Sequence, residues 1–168
     1  MNPRLKAYLQ LCRPANLPTA AADILAGMSI SGLFAGLGVF ELPIVDLPPF
    51  FMLIMASVFL YAGGVVLNDV FDVEIDKIER PERPIPSGVV PLKMAGLFGS
   101  ILLLVGICLA FLVNRDCGLI SILLALAILS YDKFAKHHAF LGPLNMGVCR
   151  GLNLLMGISL LNKKCSIK

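Results

Sequence analysis

The chain has 168 residues, of which 58% are hydrophobic and 15% charged, with a net charge of +3. That charged fraction, far below the roughly 25% of a soluble domain, excludes an ordinary soluble fold, in line with a mean hydropathy of +0.87. The small positive balance is spread among connecting segments, which excludes a nucleic-acid surface and leaves it to set orientation in a membrane.

Apolar runs predict an all-α membrane bundle in a single domain, 1–168, with five spans at about 17–40, 50–68, 94–113, 117–131 and 139–161. All eleven prolines fall in connecting segments or at the start of a run. The five cysteines, Cys12, Cys108, Cys117, Cys149 and Cys165, show no C-x-x-C pair and read as small apolar packers. Arg4, Lys6 and Arg13 precede the first run without a small-residue cleavage site, so that run stays in the mature protein. Lys77, Arg80, Arg83 and Lys93 lie between the second and third runs, and Lys133 and Lys136 between the fourth and fifth. The opposite loops carry only Arg115, so the N-terminus and both larger loops are expected in the cytoplasm, with Asn114-Arg115-Asp116 as an outer turn.

In chain order, the first run opens with Arg13-Pro14-Ala15-Asn16 and carries Asp23 on nearly the same helical face as Asn16. A carboxylate inside a span costs roughly 2.5–3.5 kcal/mol on insertion scales, so Asp23 is expected to face a polar cavity, unless it stays wet at the interface. Small residues at Gly27, Gly32, Gly36 and Gly38 suit close helix packing in lipid.

The stretch from Leu67 to Gly88 holds six of the eleven acidic residues and directly follows the uncharged run from Phe50 to Leu67. On a helix, Asp69, Asp72 and Asp76 fall within roughly 60° of one another and Glu74 nearly opposite. Like carboxylates on one face repel, and a divalent cation would reverse the sign of that interaction. Three carboxylates and the Asn68 amide offer only oxygen, which suits Mg²⁺ bridging to a substrate diphosphate. The bland alternative is a solvated helix end whose acids pair with Lys77, Arg80 and Arg83.

Beyond the fourth run stands Tyr131-Asp132-Lys133-Phe134-Ala135-Lys136-His137-His138, where adjacent histidines point to different sides of a helix and make a poor metal site. The fifth run carries Asn145, Cys149 and Asn153 at i, i+4, i+8 with Arg150 beside them, a polar flank about 140° wide. A guanidinium there needs an internal partner, either an anionic ligand or an acid such as Asp23 in a purely structural pair.

Asn68-Asp69-x-x-Asp72-x-x-x-Asp76, then Arg80 and Arg83-Pro84-Ile85-Pro86-Ser87-Gly88, resembles the first aspartate motif and arginine-proline loop of the UbiA superfamily of intramembrane prenyltransferases. The Arg13-Pro14-Ala15-Asn16 and Tyr131…Lys136-His137 segments resemble further family positions, and the string Asn145–Asn153 most resembles the branch called EboC. The resemblance implies a helical bundle of about nine spans in which Mg²⁺ and basic residues carry an isoprenyl diphosphate to an aromatic or other lipophilic acceptor. It implies Asn68, Asp69, Asp72 and Asp76 as metal ligands and Asp72, Asp76, Arg83 and Lys136 as catalytic residues. Substrate binding would fall to Arg13, Asn16, Asp23, Arg80, Tyr131, Asn145, Arg150 and Asn153. His137 stands where the family often has an arginine. The second aspartate motif of the family has no match here, and the abrupt basic ending from Leu161 reads as a truncated frame. On that reading a missing C-terminal half or another subunit completes the site, and a polypeptide of these residues is silent by itself. The setting expected is a bacterial inner membrane and isoprenoid biosynthesis. The competing reading is a non-catalytic membrane subunit or export accessory that keeps the fold for a lipid ligand.

Overall fold

The computed structural model describes residues 2–31, 47–134 and 138–160. Among them all regular structure is helical: α1 (Pro3–Leu11), a 3-10 turn (Pro14–Asn16), α2 (Leu17–Ile30), α3 (Leu47–Phe71), α4 (Val73–Glu79), α5 (Leu92–Val113), α6 (Arg115–Lys133) and α7 (Leu141–Ile158). α3, α5, α6 and α7 lie where the second to fifth apolar runs predict helices. Residues 32–40 of the first run and Leu161 at the end of the fifth are outside the described residues, as are Gly32, Gly36, Gly38 and Cys165.

Among the described residues two helices are long and apolar enough to cross a bilayer, Pro48–Phe71 and Leu92–Val113. The expected count of five is not reproduced on that measure. α6 begins with Arg115-Asp116 and ends with Asp132-Lys133, while the 18 residues of α7 include Asn145, Arg150 and Asn153.

α3 forms the centre and touches α2, α5 and α6, while α7 closes the bundle against α2 and α6. Small residues allow this closeness. A Cβ on Gly63 would stand 2.9 Å from the Gly99 carbonyl of α5, and one on Gly106 the same distance from the Ala56 carbonyl of α3. At the α2–α7 crossing a Cβ on Gly27 would collide with the Leu154 carbonyl, and one on Gly157 with the Ile24 carbonyl. Ile24, Met28, Leu53, Leu60 and Met156 fill the core between these contacts. Away from it, α5 turns Leu97, Ile101, Leu104 and Leu112 outward, an apolar surface suited to lipid. Cys108 belongs to that exposed side, against the expectation that it packs inside, whereas Cys117 is fully buried with Sγ 3.5 Å from the Met156 carbonyl.

Two elements have no counterpart in the apolar pattern. α1 starts at Pro3 with the Asn2 side chain accepting from the Arg4 N–H at 3.0 Å, and it buries Ala7 and Leu11 with Val66, Ile85, Val90 and Ala95. α4 continues α3 after a break at Asp72, and the Asp72 N–H to Asn68 carbonyl and Asp76 N–H to Asp72 carbonyl bonds, 3.0 and 2.8 Å, keep the path nearly helical across it. Asn114 links α5 to α6: its Oδ1 accepts from the Cys117 N–H at 2.7 Å and its Nδ2 donates to the Ser159 carbonyl at 3.0 Å. The expected outer turn is thus a helix cap tied to the end of α7.

Candidate functional site

α2, α3, α6 and α7 line a half-open cavity of about 340 Å³. Its walls are mainly apolar, with Val65, Leu124, Ile128 and Met146, while Tyr61 and Tyr131 present rings with polar tips. Polar groups gather at two poles.

The first pole is the acidic motif. α1 and the 3-10 turn deliver Arg13, which adopts a left-handed backbone at φ 46°, ψ 64°, a conformation uncommon for a side chain this size. Its Nη2 donates to Asp69 Oδ1 at 2.6 Å. A turn closed by the Arg83 N–H on the Arg80 carbonyl at 3.1 Å brings Arg83 back over the motif, and Gly88 at φ +76° turns the rest of the loop toward α5. Arg83 Nη1 lies 2.6 Å from Asp76 Oδ2 and 3.3 Å from Asp69 Oδ1, so one guanidinium bridges two carboxylates seven residues apart. Asp69 and Asp76 are only 5% and 4% exposed, which rules out a solvated helix end for them. The opposite face behaves as that alternative describes: Glu74 is exposed and takes Lys77 at 2.7 Å. Asn68 lines the cavity, and Asp72 sits half-buried at the α3–α4 break.

The second pole joins α2, α3 and α7. Arg150 Nη2 donates to Asp23 Oδ1 at 2.7 Å. Asn153, buried, donates to the Ala20 carbonyl at 3.1 Å and to Asp23 Oδ2 at 3.5 Å, and its Oδ1 lies 2.8 Å from Ser57 Oγ. Ser57 Oγ is also 3.0 Å from the Ala20 carbonyl, so its single proton serves one of these acceptors at a time.

Of the residues expected at the site, Arg13, Asp23, Asn68, Tyr131, Arg150 and Asn153 line the cavity. Arg83, Asp69 and Asp76 form the cluster beside it. Asn16, Arg80 and Asn145 are not among the lining residues. Asn16 is exposed, with its carbonyl accepting from Thr19; Arg80 is exposed past the end of α4; Asn145 contacts Cys149 within α7. Lys136 and His137 lie outside the described residues.

The oxygen-only donors suit a hard cation, but the arrangement as it stands does not gather them: among the described residues no three His, Cys, Asp or Glu side chains converge on a metal position. Asp69 and Asp76 are satisfied by guanidinium instead. These pairs use Asp69 Oδ1 and Asp76 Oδ2, so Mg²⁺ bound there would compete with Arg13 and Arg83 for the two carboxylates.

Sequence reasoning missed Ser57, Tyr61 and Asp132 as lining residues. Asp132, 3% exposed, closes an apolar run much as Asp23 interrupts one, so the same cost of an intramembrane acid marks it. Ser57 carries no such signal, because a serine in an apolar helix commonly bonds its own backbone.

Residues 26–167 match the UbiA prenyltransferase family. The digeranylgeranylglyceryl phosphate synthase of Methanococcoides burtonii is 41% identical over 91% of this chain and 54% of its own length. That of Sulfurisphaera tokodaii is 35% identical over 91% and 52%. A solved structure of a digeranylgeranylglyceryl phosphate synthase superposes with a TM-score of 0.82 at 33% identity, covering 94% of this chain and 53% of the other. A UbiA homolog from Archaeoglobus fulgidus bound to GPP and Mg²⁺ has the same fold, with a TM-score of 0.73 at 19% identity over 92% and 53%. The chain spans about half the length of the curated relatives it matches. These relatives come from archaea and their name specifies a glyceryl phosphate, so they support neither a bacterial membrane nor an aromatic acceptor. With most of its length matched and the aspartate motif and arginine-proline loop joined by ion pairs, the chain belongs to the UbiA prenyltransferase family.

Proposed function

We propose that the cavity is the reaction chamber of a membrane prenyltransferase that joins a prenyl diphosphate to a glyceryl phosphate acceptor. The observation that carries this reading is the Arg13–Asp69–Arg83–Asp76 chain at the edge of an apolar cavity. Guanidinium groups in this position exchange carboxylate for diphosphate oxygens, which they bind with the same forked geometry. The C–O bond to the prenyl carbon breaks, its electron pair leaves with the diphosphate, and an acceptor hydroxyl oxygen takes the carbon and releases its proton. Asn68, Asp69, Asp72 and Asp76 would hold Mg²⁺, which when bound would supply charge neutralisation for the departing diphosphate. Arg13 and Arg83 add to it, and Lys136 and Arg80 remain proposed contributors on family resemblance. Tyr61 and Tyr131 face the allylic cation with π-electron density, and the apolar walls limit the water that reaches it.

Binding tests this reading directly. Asp72→Asn should weaken Mg²⁺-dependent pyrophosphate binding by about tenfold or more, because a charge-assisted ligand is lost. Glu74→Gln removes an exposed pair of small worth and should change it by less than about twofold. Equal effects from both, measured by calorimetry in micelles, would sink the proposal.

We further propose five spans with the N-terminus in the cytoplasm, in an archaeal-type membrane, and a single domain that works with a further half or subunit. Cys117 is too buried to report on topology. Asp116→Cys, at an exposed position beside it, should label from outside and Cys12 from inside. Burial raises the Cys12 thiol above its ordinary range, so its alkylation should be slow near neutral pH and accelerate at higher pH than for a free thiol. Labelling of Asp116→Cys from the cytoplasmic side would reverse the orientation.

A further inference from the structure

We infer that Arg150 is the phosphate-recognition residue for the acceptor, masked by Asp23 until that phosphate arrives, and that the second pole therefore selects a phosphate monoester. This rests on the proposed prenyl transfer and names the part of the cavity that chooses the acceptor.

The pair is built unlike a strut. Its guanidinium is 61% exposed and meets Asp23 through one nitrogen only, while the Asp23 side chain is 18% exposed. An ion pair with that much access contributes little to holding helices together. The α2–α7 crossing already has the Gly27 and Gly157 contacts and the buried Asn153–Ala20 bond. Those features make a rigid floor, and beside it Arg150 lines the cavity with one nitrogen on Asp23. Guanidinium in an apolar helix is costly to place, and a fork of donors facing a cavity matches the oxygens of a phosphate monoester.

Its position suits the acceptor rather than the donor. Asp23 lies six residues into α2 from Leu17, about 9 Å along the axis from the end that carries Arg13. A prenyl diphosphate anchored at Arg13 and Arg83 directs its reactive carbon into the space between the poles. The hydroxyl of a glyceryl phosphate must meet that carbon, which leaves its phosphate one glycerol skeleton farther in, at Arg150. Asp23 occupies the guanidinium until the phosphate arrives and competes with it.

Calorimetric titration of the whole chain in zwitterionic micelles tests this with three probes: a glyceryl phosphate carrying one alkyl ether chain, the same ether lacking the phosphate, and glycerol phosphate in solution. Arg150→Ala should weaken the phosphate ether by about tenfold or more, with Arg150→Lys intermediate, and leave the phosphate-free ether unchanged. Asp23→Asn, nearly isosteric, should tighten the phosphate ether by about threefold, since it removes the competing charge. Glycerol phosphate should follow the same order more weakly, which separates headgroup recognition from tail binding. A strut predicts the reverse for Asp23→Asn, so weaker binding in that variant overturns the inference, as does Arg150→Ala within about twofold of the parent. Mg²⁺-pyrophosphate binding should be indifferent to Arg150→Ala. If the parent binds no Mg²⁺-pyrophosphate yet keeps Arg150-dependent binding of the phosphate ether, the diphosphate reading fails while phosphate recognition at Arg150 stands.

Discussion

Arg83→Ala is expected to destabilise the chain by about 3 kcal/mol and to abolish measurable pyrophosphate binding. Two nearly buried carboxylates share this guanidinium, and only Asp69 keeps another arginine when it is gone. Breaking a buried pair from one side leaves an uncompensated charge, at about 3–5 kcal/mol. The low end applies because the Arg83 side chain is 20% exposed and water can partly replace it. Asp76→Asn in the Arg83→Ala background should recover part of the loss, since the stranded charge is then removed. Thermal unfolding in micelles gives the coupling through a double-mutant cycle, and additive losses would mean that the pair is not the source of the effect.

Gly157→Leu should be the most damaging change in α7 that touches no polar group. A Cβ at Gly157 collides with the Ile24 carbonyl, and the reciprocal Gly27 site meets the Leu154 carbonyl, so the obstruction on each side is backbone that cannot rotate away. Overpacking of this kind costs about 1–3 kcal/mol, and the upper end is expected here. Gly147 and Gly151 lie on the same helix with nothing within 4 Å of where a Cβ would stand, so leucine there should be neutral or slightly stabilising through helix propensity. Separation of α2 from α7 should also break the Asp23–Arg150 pair while sparing the Arg83 cluster. Gly157→Leu should then lose the phosphate-ether affinity in the titration above and retain Mg²⁺-pyrophosphate binding. Equal stability of Gly157→Leu and Gly151→Leu would show that the crossing is not tight.

The helical class was legible because hydrophobic runs bounded by charge and proline leave few alternatives in a bilayer, and α3, α5, α6 and α7 fall where those runs lie. The two faces of the acidic stretch were legible too: spacing on a helix is local, so Asp69 and Asp76 share the face that Arg83 bridges, and Glu74 points to the other, where it pairs with Lys77. An intramembrane acid and an intramembrane guanidinium each required a partner, which nominated Asp23 for Arg150, the pair found in the structure. What local pattern could not supply is proximity across the bundle. That Arg13 reaches Asp69 depends on α1 docking against the far end of α3, and α1 is too short and too polar to stand out from an apolar scan. That Ser57 meets Asn153, while Asn145 stays off the cavity wall, depends on helix rotation, and Asn16 and Arg80 miss that wall because they sit in the 3-10 turn and past the end of α4. Rotation is set by which glycines let backbones touch, a long-range steric choice among many small residues, and only the tertiary structure decides it.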